Sequence, residues 1–352
     1  RVRRQRQMCI RDSVLSWAQQ HGRKDLPWQQ NPTPYRVWVS EIMLQQTQVD
    51  TVIPYYQKFM QTFPDIKILA NASQDLVLHH WSGLGYYARA RNLHKSAKII
   101  CDQYQSNFPS SLEAVEALPG IGKSTAAAIL SLSHNQRHAI LDGNVKRVLA
   151  RHTGTTGWPG HARVEKLLWN IAEQRTPQIN NARYTQAMMD LGATVCKRSQ
   201  PVCSSCPVDD DCVAYTQNLQ TELPTPRPKK NIPTRSTVML AVLNHDDDLL
   251  MQRRPSHGIW GGLWSFPEFA TPDDALHWCV QIFNRMPDSQ QTLADLTHTF
   301  SHFRLVISPL TVRYDTPIHW VMDGNEWVWY KHNSSQAGLA APVHQLIKQL
   351  AM

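Results

Sequence analysis

Long apolar segments are absent from this sequence, which has no run of about 18 consecutive apolar residues, so no membrane span is expected. The first residues, RVRRQRQMCIRD, also lack an initiator methionine and the apolar h-region of a signal peptide. We therefore interpret residues 1–12 as a non-native or disordered start. The 352 residues, 42% of them hydrophobic, are enough for two domains with a substantial core.

A strong charge of one sign is lacking outside those first residues. The chain carries a formal net charge of +8 and a pI of about 9.2, which favours a polyanionic partner. Residues 1–12 hold five Arg and one Asp, however, and so supply +4 of that charge. Motifs, rather than net charge, must decide whether the partner is a nucleic acid.

β-rich runs are missing from the first part of the chain, where apolar residues recur at helical spacing, as in 40–60 and 123–133. The segment ELPTPRPKKNIP holds four prolines and predicts an extended linker over 222–235. After it the period changes to that of strands, with a hairpin predicted over 237–254 and a helix over 273–286. The sequence thus predicts an all-α domain followed by a smaller α/β domain.

Cysteine is scarce, yet four of the seven cysteines lie within 17 residues, at Cys196, Cys203, Cys206 and Cys212. Disulfides are disfavoured because no secretion signal is visible. Structural zinc usually takes two tight Cys-x-x-Cys pairs, and only one is present here. An iron–sulfur cluster also takes four thiolates. The residues themselves leave zinc and iron–sulfur open.

The segment LPGIGKSTAAAI, residues 118–129, predicts two short helices joined by a glycine turn. Gly120 and Gly122 permit close backbone approach, and the free N–H groups of the second helix suit a phosphate. This is the pattern of a helix-hairpin-helix, which holds DNA by its backbone. An ordinary corner between two helices is the alternative.

Two acidic residues occupy positions that suit catalysis. Asp142, in ILDGNVKRVLAR, precedes a predicted helix and could equally be a simple N-cap. Glu41, in VWVSEIMLQQTQV, has apolar neighbours that should raise its pKa, although an exposed first-turn glutamate would fit the same pattern. The uncharged run at 45–48 is suited to probing base edges.

A glycine-hinged segment, WSGLGYYARARN (81–92), sets Tyr86 and Tyr87 beside Arg89 and Arg91. Aromatic rings interleaved with arginines suit base stacking combined with phosphate contact. The alternative is a pair of buried tyrosines beneath a solvated basic face.

Together, these motifs and the Cys-x6-Cys-x2-Cys-x5-Cys loop resemble the helix-hairpin-helix DNA glycosylase superfamily, and most specifically the MutY-type adenine DNA glycosylases. The resemblance extends from LPW at Leu26 to the last predicted helix. It implies a multidomain protein. An all-α helix-hairpin-helix glycosylase domain would span 13–221, with a 4Fe–4S loop at 196–212. A Nudix-like α/β domain for lesion recognition would span 236–352.

The same resemblance implies a 4Fe–4S cluster, rather than zinc, held by Cys196, Cys203, Cys206 and Cys212. It implies removal of adenine from double-stranded DNA that contains 8-oxoguanine:A or G:A mispairs. We further expect a monomer in the bacterial cytoplasm, associated with the nucleoid and not with a membrane.

The resemblance also assigns roles to single residues. Glu41 is the expected catalytic acid, Asp142 its aspartate partner, and Asn144 a polar active-site residue. Gln46 and Tyr86 are expected to wedge into the duplex, and Thr47 and Leu84 to contact the oxidised guanine. The remaining expected DNA contacts are Gly120, Gly122, Ser124 and the Phe300, Ser301 and His302 loop; the expected adenine pocket is Trp28, Gln186 and Met189, with Gln29 where the family often carries arginine.

Ser124 stands where the related bifunctional enzymes of the endonuclease III type carry a nucleophilic lysine. Lys123 is adjacent, but one residue rotates a helical side chain by about 100°. The sequence therefore predicts hydrolysis without efficient strand cutting. A bifunctional glycosylase/lyase and a non-catalytic iron–sulfur DNA-binding protein are the alternatives. A Nudix nucleotide hydrolase is disfavoured because DDALHWCVQIF lacks the required acidic residues.

Overall fold

The computed structural model describes residues 2–228, 231–256, 258–318, 326–331 and 337–350. The chain divides into two compact units. The first comprises residues 1–71 and 92–229, and the second comprises residues 72–91 and 230–352. The second unit thus includes a segment that we predicted to belong wholly to the helical domain.

The described part of the first unit is built of helices and contains no β-strand. Thr33 caps one of these helices by accepting a hydrogen bond from the N–H group of Arg36, and Ser111 caps another in the same way from Ala114. The helices of this unit are α1 (Val2–His21), α2 (Pro34–Leu44), α3 (Val49–Thr62), α4 (Ile66–Asn71), most of α6 (Ala88–Tyr104), α7 (Leu112–Glu116), α8 (Lys123–His134), α9 (Gly143–Thr153), α10 (Ala162–Arg175), α11 (Asn181–Asp190) and α12 (Val213–Thr216).

The core of the first unit lies between α1, α8, α9, α10 and α11. Val14, Leu149, Leu168 and Leu191 are almost completely buried in it. α11 runs directly into a π-helical turn, Leu191–Val195, immediately before the first cysteine of the loop. Such turns are often found at functional sites because they shift the register of the side chains that follow.

One expectation about this unit needs correction. The helical pattern over 40–60 is interrupted, since α2 ends at Leu44 and residues 45–48 form the turn before α3. The start of the chain forms part of α1, which begins at Val2. Within it, the Arg11 side chain donates hydrogen bonds to the carbonyl groups of Gln174 and Arg175.

The second unit contains a mixed sheet, in which β1 pairs in parallel with β7 and the other pairs are antiparallel. The central order is β3-β2-β1-β7-β5, with β4 beside β1, β6 beside β7 and β8 beside β2. The strands are β1 (Thr234–Leu243), β2 (Leu249–Arg253), β3 (Trp264–Ser265), β4 (Glu268–Phe269), β5 (Ser289–Thr292), β6 (Leu296–Thr299), β7 (Arg304–Arg313) and β8 (Trp327–Tyr330).

Helices α13 (Pro272–Phe283) and α14 (Ala341–Leu350) complete the C-terminal part of this unit, and α5 (Gln74–Trp81) joins them from the earlier segment. Ala275, Cys279 and Phe283 of α13 are buried in one cluster with Leu240 and Leu310 of the sheet. The predicted order of an all-α part followed by an α/β part is therefore confirmed. No helix in the described ranges is long and apolar enough to span a bilayer.

Candidate active site

Glu41 lies in the last turn of α2, between residues that are almost fully buried. Trp38, Val39, Ile42 and Met43 are each at most 3% exposed, whereas Glu41 itself is partly exposed. The negative end of the helix dipole lies near its carboxyl group, which disfavours ionisation further. Burial, and after it the charge of Asp142, raises the pKa of Glu41 to about 8. The alternative of an exposed first-turn glutamate is thereby excluded.

Asp142 is the N-cap of α9, and its Oδ1 accepts a 2.7 Å hydrogen bond from the Val145 N–H group. Capping engages this oxygen with the backbone, and the residue remains partly exposed. Burial raises the pKa of Asp142, while the Val145 N–H group and the positive charges of Arg147 and Lys146 act against that rise. The capping role and a catalytic role are therefore compatible in this side chain.

The two carboxyl groups interact electrostatically and differ in their surroundings. Burial and the nearby charge favour the protonated form of Glu41, whereas Asp142 has backbone donors and two cations that favour its anion. A proton shared between the pair is therefore held by Glu41. One neutral acid and one anion in a single site are the arrangement used in acid-assisted cleavage of glycosidic bonds.

Ser124 and Lys123 point in different directions from the start of α8. The Ser124 hydroxyl accepts a 2.9 Å hydrogen bond from the Leu141 N–H group, directly before Asp142. The Lys123 ammonium group lies 4.4 Å from the centroid of the Trp169 ring on α10. The predicted divergence of these neighbours is thus present, and the α8 side chain that contacts the backbone directly before Asp142 is a serine and not a lysine.

Asn144 is held by Arg147, one turn further along α9. The Arg147 guanidinium donates to Asn144 Oδ1 (2.8 Å), to the Gly192 carbonyl (2.7 Å) and to the Cys196 carbonyl (2.7 Å). A Cβ atom on Gly192 would come within 2.6 Å of Asn144 Cβ, so that only glycine permits this approach. Arg147 therefore connects the start of α9 to the cysteine loop.

The four cysteines predicted as cluster ligands line one small cavity, together with Arg151 and Tyr215. Arg151 is 3% exposed and donates to Cys196 Sγ (3.4 Å), to the Lys197 carbonyl (2.6 Å) and to the Leu223 carbonyl (2.8 Å). A positive group against a thiolate lowers the cost of its negative charge. The donor set fits a soft, negatively charged centre.

A pocket of about 630 Å³ lies between α1, α2 and α11. Trp28, Gln29 and Gln186 line it, as does Val37, which is one turn before Glu41 on α2. Of the three residues predicted for the adenine pocket, Trp28 and Gln186 are thus brought together. The third, Met189, packs against the hydrophobic core instead.

Gln186 is oriented in this pocket by an ion pair whose carboxylate is buried. Its Nε2 donates to Asp190 Oδ1 (2.9 Å), and the same oxygen accepts from the Arg23 guanidinium at 2.6 Å. A carboxylate paired with arginine can only accept, so Gln186 must turn its NH₂ group toward it. The carbonyl oxygen of Gln186 is then left for a donor in the pocket.

Gln46 lies in the turn between α2 and α3, where it is exposed and has a φ of 58°. A left-handed backbone conformation is unfavourable for a non-glycine residue, so the surrounding turn must hold Gln46 in it. Thr47 is partly exposed, and its hydroxyl donates to the Gln45 carbonyl at 3.3 Å.

The loop after α5 holds Leu84 and Tyr86 in contrasting environments. Leu84 is 6% exposed, whereas Tyr86 is 54% exposed and has a φ of 50°. Arg89 is 9% exposed and its guanidinium donates to the carbonyl groups of Leu84 and Gly85, both at 3.1 Å. Arg89 therefore braces the loop, and the expected phosphate contact is not its role in this arrangement. Tyr87 is buried, as the alternative reading proposed.

The Phe300–His302 loop joins β6 to β7. Ser301 and His302 are exposed at its tip, while the Phe300 ring stacks on Phe303 at a centroid distance of 4.6 Å and also contacts Trp260. Phe300 therefore holds the tip in place, and the two polar residues are the ones available to a partner.

The glycine turn of the predicted helix-hairpin-helix lies between α7 and α8. Gly120 has a φ of 79°, and a Cβ atom there would come within 2.8 Å of Asn92 Cβ, so this position requires glycine. Gly122 is the exposed N-cap of α8. The free N–H groups of that helix are available to an anion.

Three residues of this site were not predicted from the sequence: Arg147, Arg151 and Asp190. Both arginines stand in the ILDGNVKRVLAR motif, and their four-residue spacing places them on one face of a helix. That spacing could have indicated a shared structural role. Nothing in the sequence around Asp190 distinguishes a buried ion pair from an ordinary surface acid.

Comparison with known proteins agrees with this geometry. Residues 39–174 match the HhH-GPD superfamily of base excision DNA repair proteins, and residues 238–349 match the NUDIX domain. A thermostable thymine-DNA glycosylase has the same helical fold, with a TM-score of 0.56 and 24% identity over 62% of this chain and all of that one. The class defined by fold and site is a helix-hairpin-helix DNA glycosylase.

The relatives narrow this class. The chain is 40% identical over 336 residues to the adenine DNA glycosylase of Buchnera aphidicola subsp. Acyrthosiphon pisum, covering 95% of each chain. It is 32% identical to the human adenine DNA glycosylase, covering 91% of this chain and 70% of the human one. The chain belongs to the adenine DNA glycosylase family, whose enzymes hydrolyse N-glycosyl bonds.

Proposed function

We propose that this chain removes adenine mispaired with 8-oxoguanine or guanine from double-stranded DNA, by hydrolysis of the N-glycosidic bond and without cutting the strand. The observation that carries the proposal is the pairing of Glu41, whose pKa is raised to about 8, with the capped and cation-flanked Asp142. Such a pair supplies one proton and one negative charge to the same bond.

A base inside a duplex cannot reach these carboxyl groups, so adenine must first be flipped out. Unstacking costs a few kcal/mol, which a side chain inserted into the gap offsets. Gln46 and Tyr86 suit this task because each is exposed on a left-handed backbone at the tip of a turn or loop.

In the chemical step, Glu41 donates its proton to a ring nitrogen of adenine, N7 in the family, so that the base leaves as a neutral molecule. General acid catalysis of this kind accelerates a reaction by about 10²–10⁴-fold. The bond between C1′ and the base breaks, and the sugar is left with positive charge. Asp142 as an anion stabilises that charge until water attacks C1′ and gives a proton to the Glu41 carboxylate, which restores the acid.

A lyase step would require an amine beside C1′. Ser124, which stands where the endonuclease III-type enzymes carry lysine, has a hydroxyl group, and a hydroxyl cannot form a Schiff base. The cation–π contact with Trp169 directs the amine of the neighbouring Lys123 elsewhere. These two facts support a monofunctional enzyme.

Recognition of the base pair is assigned to two groups of residues. Gln186 would accept a hydrogen bond from the 6-amino group of adenine through its carbonyl oxygen, with Trp28 lining the same pocket. The oxidised guanine would be recognised by Thr47, Leu84, Ser301 and His302. The exposure of Ser301 and His302 supports this assignment.

The four cysteines would hold a 4Fe–4S cluster. The four cysteines line one shared cavity together with the buried Arg151. A cluster of four irons takes one thiolate at each iron and would use all four cysteines. The cluster would fix a loop whose exposed Lys197 and Arg198 can meet phosphates.

The test is a single-turnover assay on duplexes with 8-oxoguanine:A, G:A and T:A pairs. The reaction is analysed with and without alkali, which separates base loss from strand cutting. We expect adenine release from the first two duplexes, with breaks only after alkali, and loss of release in Glu41→Gln. The double variant Ser301→Ala, His302→Ala should reduce the preference for 8-oxoguanine:A over G:A.

Strand breaks without alkali would instead favour the bifunctional endonuclease III-type reaction. Binding without any base release would favour a non-catalytic DNA-binding protein. Full activity in Glu41→Gln would contradict the assigned acid.

A further inference from the structure

The loop that presents Leu84 and Tyr86 is fastened to the C-terminal sequence of its own unit. α5, which leads into the loop, is anchored by a 2.6 Å ion pair between Asp75 and Arg253 at the end of β2. Leu78 of α5 is fully buried, and a Cβ atom on Gly338 would come within 2.8 Å of its Cβ. This contact leaves no room for a side chain at position 338.

The base of the loop converges on one backbone carbonyl, that of Leu339. The Tyr87 hydroxyl donates to it at 3.1 Å, and the Ser82 hydroxyl donates to it at 3.3 Å. The Tyr87 oxygen in turn accepts a 3.3 Å hydrogen bond from the Gly83 N–H group. One residue at each end of the loop, Ser82 and Tyr87, is thus bound to the same carbonyl group. The first glycine of the loop is bound to the Tyr87 hydroxyl.

This anchor is itself rigid. Leu339 is 4% exposed and forms a β-bridge with Trp264, whose N–H group donates to the Gly338 carbonyl at 3.0 Å. A second tie follows the loop, since Arg91 donates to the Gly261 carbonyl at 2.6 Å. The loop needs such support because Tyr86, a non-glycine residue, has a φ of 50°, an unfavourable conformation that an unsupported chain would relax.

We propose that Ser82 and Tyr87 are positioning residues, through which the Leu339 carbonyl sets the conformation of the Gly83–Tyr86 loop and hence the discrimination of the oxidised guanine. The C-terminal sequence would then affect specificity by shaping this loop, in addition to any contact that its Ser301 and His302 make. This inference rests on the proposed preference for 8-oxoguanine:A.

The test uses Tyr87→Phe, which keeps the buried ring and removes both hydrogen bonds of its hydroxyl, and the double variant Ser82→Ala, Tyr87→Phe. Tyr55→Phe on α3 is the matched control. Two quantities are measured on the full chain: hydrogen exchange of the peptide that covers residues 82–87, and the ratio of single-turnover rates on 8-oxoguanine:A and G:A duplexes.

We expect faster exchange in residues 82–87, with the exchange of α9 unchanged. We also expect a loss of discrimination of about 3- to 10-fold for each hydrogen-bonding group removed, because the 8-oxoguanine:A rate falls more than the G:A rate. Gly338→Ala, which pushes against Leu78, should have the same effect without altering any hydroxyl.

Unchanged hydrogen exchange of residues 82–87 in all these variants would show that the Leu339 carbonyl does not hold the loop. Faster exchange with unchanged discrimination would overturn the role in specificity. If the unmutated protein itself shows no preference between the two duplexes, the proposed function fails on lesion recognition, and the exchange measurement still decides whether the anchor exists.

Discussion

Lys123 directs its ammonium group at the ring of Trp169, 4.4 Å from the ring centroid, while the adjacent Ser124 faces the backbone before Asp142. One residue of rotation on α8 therefore separates a side chain next to the backbone before Asp142 from a lysine whose ammonium group is held on an aromatic face by a cation–π contact. The nature of the reaction should depend on which of these two positions carries the lysine.

We expect Ser124→Lys to introduce a lyase activity. The new amine would replace a hydroxyl that lies one residue from Asp142, and could attack C1′ after the base has left, forming a Schiff base that borohydride traps. Strand cutting without alkali is the measurement. Lys123→Gln is the control and should leave base release intact. If Ser124→Lys still released adenine but formed no covalent complex with borohydride, position 124 would not lie within reach of C1′.

The second prediction concerns pH. Because burial and Asp142 raise the pKa of Glu41 to about 8, the required proton is present at neutral pH and is lost as the pH rises through that value. We expect kcat/KM for adenine release to be level near pH 7 and to fall about tenfold per pH unit above pH 8, since this parameter reports the free enzyme.

Glu41→Asp is the informative companion variant, because it keeps a carboxyl group on a shorter side chain. Glu41→Asp should release adenine more slowly, and its rate should still fall as the pH rises. Any rate that remains in Glu41→Gln should not fall with rising pH. A level profile up to pH 9.5 in the unmutated protein would exclude Glu41 as the proton donor.

The third prediction separates the two roles of Asp142. Asparagine is as good an N-cap as aspartate, so Asp142→Asn should retain the hydrogen bond from Val145 and change the free energy of unfolding by less than about 1 kcal/mol. The negative charge that we propose stabilises the sugar cation is lost, so base release should fall by at least ~100-fold.

Asp142→Ala removes the cap as well and should destabilise the protein by about 1 kcal/mol more than Asp142→Asn does. Denaturant unfolding and single-turnover rates, measured on both variants, distinguish the two effects. A fall in rate that followed only the stability loss would leave Asp142 as a structural cap.

The sequence was sufficient to predict much of this site because its chemistry is concentrated in short motifs. The N-cap position of Asp142 and the apolar surroundings of Glu41 could both be recognised locally, and the change from helical to strand periodicity near the proline-rich segment indicated the order of the two folds. The glycines at 120 and 122 likewise marked their turn.

What could not be predicted depends on distant contacts. The end of α2 at Leu44 interrupts an otherwise helical apolar pattern, and only packing determines where such a pattern breaks. Arg89 resembles a phosphate ligand in the sequence but is buried against the carbonyl groups of its own loop. Asp190 and Arg23 are 167 residues apart and their pairing has no local signature.

The fourth prediction tests the orientation of Gln186. In Asp190→Ala the Arg23 guanidinium loses its carboxylate and should attract the Gln186 carbonyl oxygen, so that the NH₂ group turns into the pocket. An NH₂ group in the pocket cannot form a hydrogen bond with the 6-amino group of adenine, which is also a donor, but it can donate to the 6-oxo group of hypoxanthine. We expect the adenine-to-hypoxanthine rate ratio to fall by about tenfold or more.

The double variant Arg23→Met, Asp190→Ala removes that attraction and should give an intermediate ratio, while Asp12→Asn, at an exposed carboxylate of α1, should leave the ratio as it is. Equal losses on both bases in Asp190→Ala would mean that the ion pair supports folding and not base selection.

The fifth prediction concerns the cysteine loop. Arg151 is buried and binds Cys196 Sγ and the carbonyl groups of Lys197, Arg198 and Leu223. Arg151→Met keeps the apolar stem of the side chain but leaves those acceptors without their donor. It also removes the positive charge beside Cys196 Sγ. We expect lower iron content per chain, and a lower salt dependence of DNA binding because Lys197 and Arg198 lose their fixed positions.

Iron analysis, visible absorbance and Kd measured over a series of salt concentrations check this prediction. Arg163→Met, at an exposed position of α10, is the control and should retain iron. Arg151→Lys should recover part of the iron content, because one ammonium group can reach the thiolate but cannot serve all four acceptors in the fixed geometry of a guanidinium. Full iron occupancy and an unchanged salt slope in Arg151→Met would show that the cysteines and the loop backbone hold the site without this arginine.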